Sequence, residues 1–416
     1  MSRGRAMNGG RPDRGAPVGE EPSTGPDDVD AWVAGLGDSV FAPLGRRDQR
    51  IQAERYTRGL LRATGRKTLR NIADQVGGEA ARQSTHHFIS GSSWKWTRVR
   101  RALAATVARM TEPRALVVLP TVVPRVGTRS VGVGEQFVPH LRQTVLGQQS
   151  YGAWLASAEA AVPVNWRLVL PPGWTEDAAR RRGASIPEAV RPESLEACAS
   201  ETALEPLRDW GVPPWPVVID SKGLDVAECL RHFDRAGVPL VMRVCPSTPL
   251  RIDCTALQGY SDREIQAEQL VESMKRMRRP LECQDAWGRP LQDAVVSVIP
   301  VVPASMPGSR REPGRQLLLM AHWQGRERRP AKMWLTNAAD LPPADVIALV
   351  ELAGTVTRDF LPIAESVGLR DFGGRSFQGW HRHATMASVA HLAAVLAGPR
   401  AFPATRAAAL PAACGG

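Results

Sequence analysis

Trp215-Pro216-Val217-Val218-Ile219-Asp220 is an apolar run closed by a carboxylate. Strands buried on both faces read as such runs, so these residues predict a central strand with Asp220 at its end. Working outward, a helix is expected at about 187–209 before it and another at Leu224 to Ala236 after it. PLVMRV (239–244) then reads as a second buried strand. Upstream, ALVVLPTVV (115–123) is a strand broken by Pro120. TRSVGVGEQF (128–137) alternates and reads as its hairpin partner, and VNWRLVLP (164–171) is a third strand. The order β-β-β-α-β-α-β predicts an α/β fold, a mixed sheet with flanking helices.

Downstream, DAVVSVIPVV (293–302), RQLLLMAHW (315–323) and KMWLT (332–336) are strands set among polar stretches such as Met274-Lys275-Arg276-Met277-Arg278-Arg279. Residues 246–336 are therefore expected to be a β-rich insertion. A helix should run from about Ala344 toward Val367, with Pro362 bending or ending it. A loop at 368–383 and a last apolar helix at 384–397 follow. The Gly, Arg, Pro and Asp-rich residues 1–30 and the Ala and Pro-rich residues 399–416 read as disordered tails.

Residues 45–110 read as helices. Leu60, Leu61, Leu69, Ile72, Ala73 and Val76 recur at helical spacing, and Gly77-Gly78 ends that stretch. A second helix is expected at Glu79 to His87. Ser92-Ser93 offers an N-cap for a third, Trp94 to Met110. The chain holds 53 Lys and Arg against 42 Asp and Glu, a net charge of +11. Between Gly45 and Met110 there are fifteen basic and four acidic residues, so this module carries the whole excess. A solvated basic face would explain the charge. Clustering on one module, with Tyr56, Trp94 and Trp96 interleaved, favours phosphate binding. Arg62, Arg66, Lys67, Arg70, Lys95, Arg98, Arg100 and Arg101 are the candidate DNA contacts.

Several function classes are excluded. No stretch is long and apolar enough to span a membrane, and the N-terminal segment lacks the apolar core of a secretory signal. Six cysteines without a CxxC pair fit small buried hydrophobes in a reducing cytoplasm. His86-His87 and His381-Arg382-His383 have no metal partners at ligand spacing; packing against the last helix is the favoured reading of the second group. A P-loop, a nucleophile elbow and an H-E-x-x-H motif are all missing from the sequence.

Four ordered motif groups carry a family resemblance. The first is Tyr56-x2-Gly59-Leu60-Leu61, Arg66-Lys67, Ile72-Ala73, Gly77, His87-Phe88-Ile89 and Ser92-x-Trp94. The second is Ser130-Val131-Gly132-Val133-x2-Gln136. The third is Trp166-Arg167-Leu168-x-Leu170-Pro171-x2-Trp174, followed by Trp210-Gly211-Val212-Pro213 and Val217-Val218-Ile219-Asp220. The fourth is Gly368-Leu369-x2-Phe372-x-Gly374-Arg375-Ser376-x3-Trp380-His381-x-His383. Across about residues 50–395 the chain resembles the DDE transposases of bacterial insertion sequences, in particular the DDE superfamily endonucleases with a β-rich insertion before the final catalytic glutamate.

The resemblance implies an RNase H-like core, in which carboxylates from the first strand, the fourth strand and a late helix converge on two divalent ions. It implies double-stranded DNA as partner, a homodimer as transposases form, and no membrane. The place would be the cytoplasm, in association with the nucleoid. It also divides the chain into a helical DNA-binding-like module (31–110), the core (111–245 and 337–398) and the insertion (246–336).

The sequence departs from that family at its chemistry. An acidic pair is expected before Thr121, where this chain has Leu119-Pro120. Asp220 matches the second carboxylate, although a strand-end aspartate can also simply cap the next helix. The helix signature Tyr-x2-Arg-x3-Glu-x6-Lys falls on Val350, Ala353, Thr357 and Ala364, and all four side chains are missing. Glu351, Asp359 and Glu365 lie too far along or around the helix to replace Thr357. With Pro120 and Thr357 at two of three ligand positions, the expectation is a transposase-like DNA-binding protein without catalysis. No cofactor is expected, and Mg²⁺ only if activity survives. The alternatives are an active nuclease with unconventional ligands and an interaction scaffold with no DNA role.

Overall fold

A computed structural model of the chain describes residues 26–138, 143–285, 287–291, 294–306, 316–324 and 329–398. Five helices open it: α1 Pro26–Val40, α2 Arg47–Arg62, α3 Leu69–Asp74, α4 Gly78–His86 and α5 Trp96–Thr111. Thr68 caps α3, its hydroxyl accepting from the Asn71 N–H. Gly77 and Gly78 take φ of 147° and 62°, a turn that side chains resist. Two expectations shift here. Residues 26–30 are helical rather than tail, and the rest of that tail lies outside the described residues, as does the tail at 399–416. α5 starts at Trp96, with Lys95 and not Ser92-Ser93 at its N-cap, two residues later than expected, because Trp94 is buried and donates from its indole to the Phe88 carbonyl, 2.9 Å.

The core follows as β1 Ala115–Pro124, β2 Val133–Val138, β3 Gln143–Ala156, β4 Ala161–Leu168, α6 Pro172–Thr175, α7 Ala178–Gly183, α8 Leu195–Asp209, β5 Val217–Ile219, α9 Val226–Ala236 and β6 Leu240–Arg243. β1, β5 and β6 run parallel, while β3 pairs antiparallel with β1, β2 and β4. This mixed sheet with flanking helices is the RNase H-like fold that the resemblance implies.

The antiparallel partner of β1 is β3, not β2. β3 escapes a reading of the sequence because Gly147, Gln148, Gln149, Ser150 and Gly152 look like a loop. Both glycines answer to packing. A Cβ at Gly147 would stand 2.9 Å from the Val123 carbonyl oxygen, and one at Gly152 would stand 2.4 Å from the Trp166 ring.

The insertion adds β7 Pro249–Ile252, β8 Ile265–Gln266, α10 Ala267–Ser273, β9 Arg279–Pro280, β10 Ala294–Pro303, β11 Leu318–Gln324 and β12 Lys332–Thr336. β12 returns antiparallel to β6, so the sheet continues unbroken in the order β2-β3-β1-β5-β6-β12-β11-β10-β7-β8.

The chain ends its described part with α11 Pro343–Thr355, a π-turn Val356–Phe360, α12 Leu361–Ser366 and α13 Phe377–Ala397. The wide turn immediately precedes Pro362, which has no N–H to donate into a regular helix. α13 starts earlier than the apolar pattern shows. Ser376 caps it by accepting from the Gly379 N–H, 3.1 Å, so Trp380-His381-Arg382-His383 lies in its first turns and not in a loop.

α13 is buried on every side, as a helix enclosed by others must be. It packs on β4, α1, α2 and α5. His383 donates from Nε2 to the Gly368 carbonyl, 2.8 Å, which leaves Nδ1 to accept from the Tyr56 hydroxyl, 2.8 Å. Arg382 donates to the carbonyls of Trp94 and Ile89 and to Gln378. His391 donates to the Ala161 carbonyl on the sheet, 2.7 Å.

Burial pushes His381, His383 and His391 below the ordinary histidine range, His391 to about 4. These rings are neutral in the fold, and the unfolded chain takes their protons first. Stability is therefore full above about pH 6.5 and declines as pH falls toward 4. His391 alone contributes roughly 3 kcal/mol over that window, at ~1.4 kcal/mol per pH unit. Thermal unfolding followed by circular dichroism should give a clearly lower Tm at pH 5 than at pH 7.5; an unchanged Tm would contradict the neutral rings.

Candidate functional site

Asp220 stands one residue past β5, its N–H bonded to the Val118 carbonyl, 3.1 Å. The register pairs Val118 with Ile219 and Ile219 with Met242. One step further, Leu119, Asp220 and Arg243 lie side by side. The same row runs on through pairs Leu119–Gly152 and Gly152–Trp166 on one side and Arg243–Trp334 on the other. Residues aligned across a sheet share a face, so this is one transverse strip of side chains.

The register also separates the two residues of Leu119-Pro120. Leu119 neighbours Asp220, while Pro120 is paired with Tyr151 and points to the opposite face. That face belongs to α8 and α9, where Tyr151 is buried against Ser221, Cys198 and Cys229 and burial raises its hydroxyl pKa. On β1, Leu116 donates to the Pro216 carbonyl and Val118 accepts from the Asp220 N–H, the residues on either side of β5. Pro120, next in that alternation, has no N–H to give, and the parallel pairing stops there.

Arg243 is the residue that sequence reasoning missed. Its guanidinium donates from Nη1 to Asp220 Oδ1 at 2.9 Å, and both side chains are largely enclosed, 20 % and 13 % exposed. Its guanidinium carbon lies 5.9 Å from the centre of the Trp334 ring. The signal was present in the sequence. The two apolar runs of the parallel pair end at matching positions in opposite charges, Asp220 and Arg243.

The late helix adds no ligand. Val350, Ala353 and Ala364 are buried apolar packing, and α11 rests on β1 and β5. Thr357 is exposed in the π-turn, and its hydroxyl donates back to the Ala353 carbonyl, 3.0 Å. Among the described residues no three His, Cys, Asp or Glu side chains converge on a point where a metal ion could be held. Divalent-metal catalysis asks for several convergent hard oxygens. The row offers one carboxylate, already neutralised by an arginine and flanked by leucine, so these residues do not fit a two-metal centre.

The basic module divides into two sets. Arg66, Arg70, Lys95, Arg98 and Arg101 are exposed, with no carboxylate partner among the described residues. Lys95, Arg98 and Arg101 follow one another at three-residue steps along the start of α5, which makes successive members neighbours on its surface. Arg62 is exposed but pairs with Asp30. Lys67 and Arg100 are buried and leave the candidate surface. The Lys67 ammonium bonds to the Ala63 carbonyl, and its backbone N–H donates to Asp371, 2.8 Å. Arg100 directs its donors to the Thr385 hydroxyl, Asn165 Oδ1, the Trp166 carbonyl, and both Nδ1 and the carbonyl of His381, at 2.8–3.2 Å. Both read from sequence as surface cations because charge alone does not reveal which side of a helix is covered.

Set against known proteins, residues 39–264 match a family model described as DDE superfamily endonuclease. The matched span covers most of the helical module and the strands that present Leu119, Asp220 and Arg243. No curated protein matches the chain.

Proposed function

We propose that this chain, which belongs to the DDE superfamily endonucleases, binds duplex DNA without cutting it. The observation that carries the reading is the Asp220–Arg243 ion pair beside Leu119. Asp220, which the resemblance matches to the family's second carboxylate, is paired with a side-chain cation. Phosphodiester cleavage needs a metal ion to activate the attacking oxygen and steady the leaving one, and a guanidinium does neither. What is kept is the means to hold a polyanion. The exposed arginines and lysine of the module neutralise backbone phosphates, displace counterions and give a salt-sensitive complex.

Supercoiled plasmid incubated with the full chain and Mg²⁺ or Mn²⁺ is expected to remain supercoiled, and Asp220→Asn should leave the gel pattern unchanged. Robust nicking that Asp220→Asn abolishes would reverse the proposal and restore the nuclease reading.

A further inference from the structure

We propose that the degenerate metal site has become a metal-free phosphate seat for the DNA backbone; this rests on the reading of the chain as a DNA-binding protein. The argument starts from Lys332, the first residue of β12. Its ammonium lies 6.0 Å from the centre of the Trp334 ring, the same ring that Arg243 approaches at 5.9 Å. Lys332 also reaches toward α11, where a Cβ on Gly354 would stand 4.0 Å from its Nζ. Gly354 adjoins Ala353 and lies one helical turn before Thr357, so the ammonium occupies the gap between the sheet's strip and the late helix. Two metal ions would bridge sheet and helix at that gap if the carboxylates were present.

The charge at this place is therefore inverted. A three-carboxylate centre is strongly negative and recruits cations. Here Asp220 is cancelled by Arg243, and Lys332 has no carboxylate partner among the described residues. Lys222, two residues beyond Asp220, is exposed and likewise unpartnered among them. The surplus is positive, and its Lys332 member is partly enclosed and backed by Trp334, whose ring attracts both Lys332 and Arg243. In low-dielectric surroundings such a surplus selects an anion, and the family's substrate presents one phosphate after another. Direct contact by fixed cations would then replace the metal-bridged contact.

The test is fluorescence anisotropy of the full chain with a short labelled duplex, in EDTA, across a salt series. Binding in EDTA is expected, with no gain on adding Mg²⁺. Lys332→Gln should lower affinity several-fold and reduce the salt slope by about 1, the share of a single neutralised phosphate. Lys332→Arg should keep the wild-type slope. Lys222→Gln lies in an exposed loop where folding is not at issue, and it should act like Lys332→Gln. Wild-type affinity and slope in both glutamine variants, or binding abolished by EDTA, would overturn the seat. If charge reversal in the helical module abolishes binding while both glutamine variants match wild type, the DNA-binding reading stands and the seat fails. A wild-type chain that binds no duplex at all overturns both.

Discussion

Reversing charge at Arg66, Arg98 and Arg101 together is expected to lower duplex affinity by a factor on the order of 10²–10³ near physiological salt. Each arginine removed leaves one phosphate without its cation, and each glutamate introduced repels that phosphate. The three side chains are exposed and without carboxylate partners among the described residues, so the melting temperature should stay within a degree or two. The log–log salt slope should flatten by about 3, which separates the removal of phosphate-binding groups from a general loss of fold. Gel-shift titrations at several salt concentrations provide the measurement. An unchanged slope would mean that the module's positive charge is a solvated face and nothing more.

The second large effect is expected at Arg100→Met. Burial pulls this guanidinium's pKa down to about 9, and the side chain holds its charge among neutral acceptors from two elements, β4 and α13. Methionine fills similar space but takes a donor from the Trp166 carbonyl and from His381 Nδ1, while Asn165 Oδ1 keeps the Trp166 N–H and the His381 carbonyl keeps the Thr385 hydroxyl. At ~1–3 kcal/mol for each buried acceptor left unmade, and with part of the loss relaxed by local shifts, the cost is about 3–5 kcal/mol. Chemical denaturation should show the midpoint falling with little change in slope. Arg98→Met, two residues away and exposed, serves as the contrast and should cost little. A small loss at Arg100 would show that water can take over its acceptors.

Much of the core was legible because apolar runs of β-branched residues have few alternatives. Val217–Ile219 and Leu240–Arg243 fell where their hydrophobicity put them. β3 was illegible for the opposite reason: its glycines make room for Trp166 and for the β1 backbone, neighbours that exist only once the sheet has formed. The start of α13 was hidden because His381, Arg382 and His383 are polar by name yet buried, each satisfied by a group from a distant part of the chain. At the candidate site, Leu119-Pro120, Asp220 and Thr357 were legible residue by residue. Which of Leu119 and Pro120 stands beside Asp220 was not, since strand register fixes the face and one residue of slip exchanges the two. Arg243 went unseen because its meaning depends on its neighbour across the sheet.

The transverse strip resists change one residue at a time. On the proposed reading, a metal centre built here would need new carboxylates and the loss of the Arg243 cation, and single substitutions in the strip are each unfavourable. Aspartate at position 119 alone would place a carboxylate in a nearly closed site beside an ion pair that has no charge to spare. Removing Arg243 first would strand Asp220. A glutamate at 357 alone would have nothing to share. The ion pair thus locks the strip: Asp220 and Arg243 each hold the other in place, and neither can be changed alone without leaving a charge unmatched.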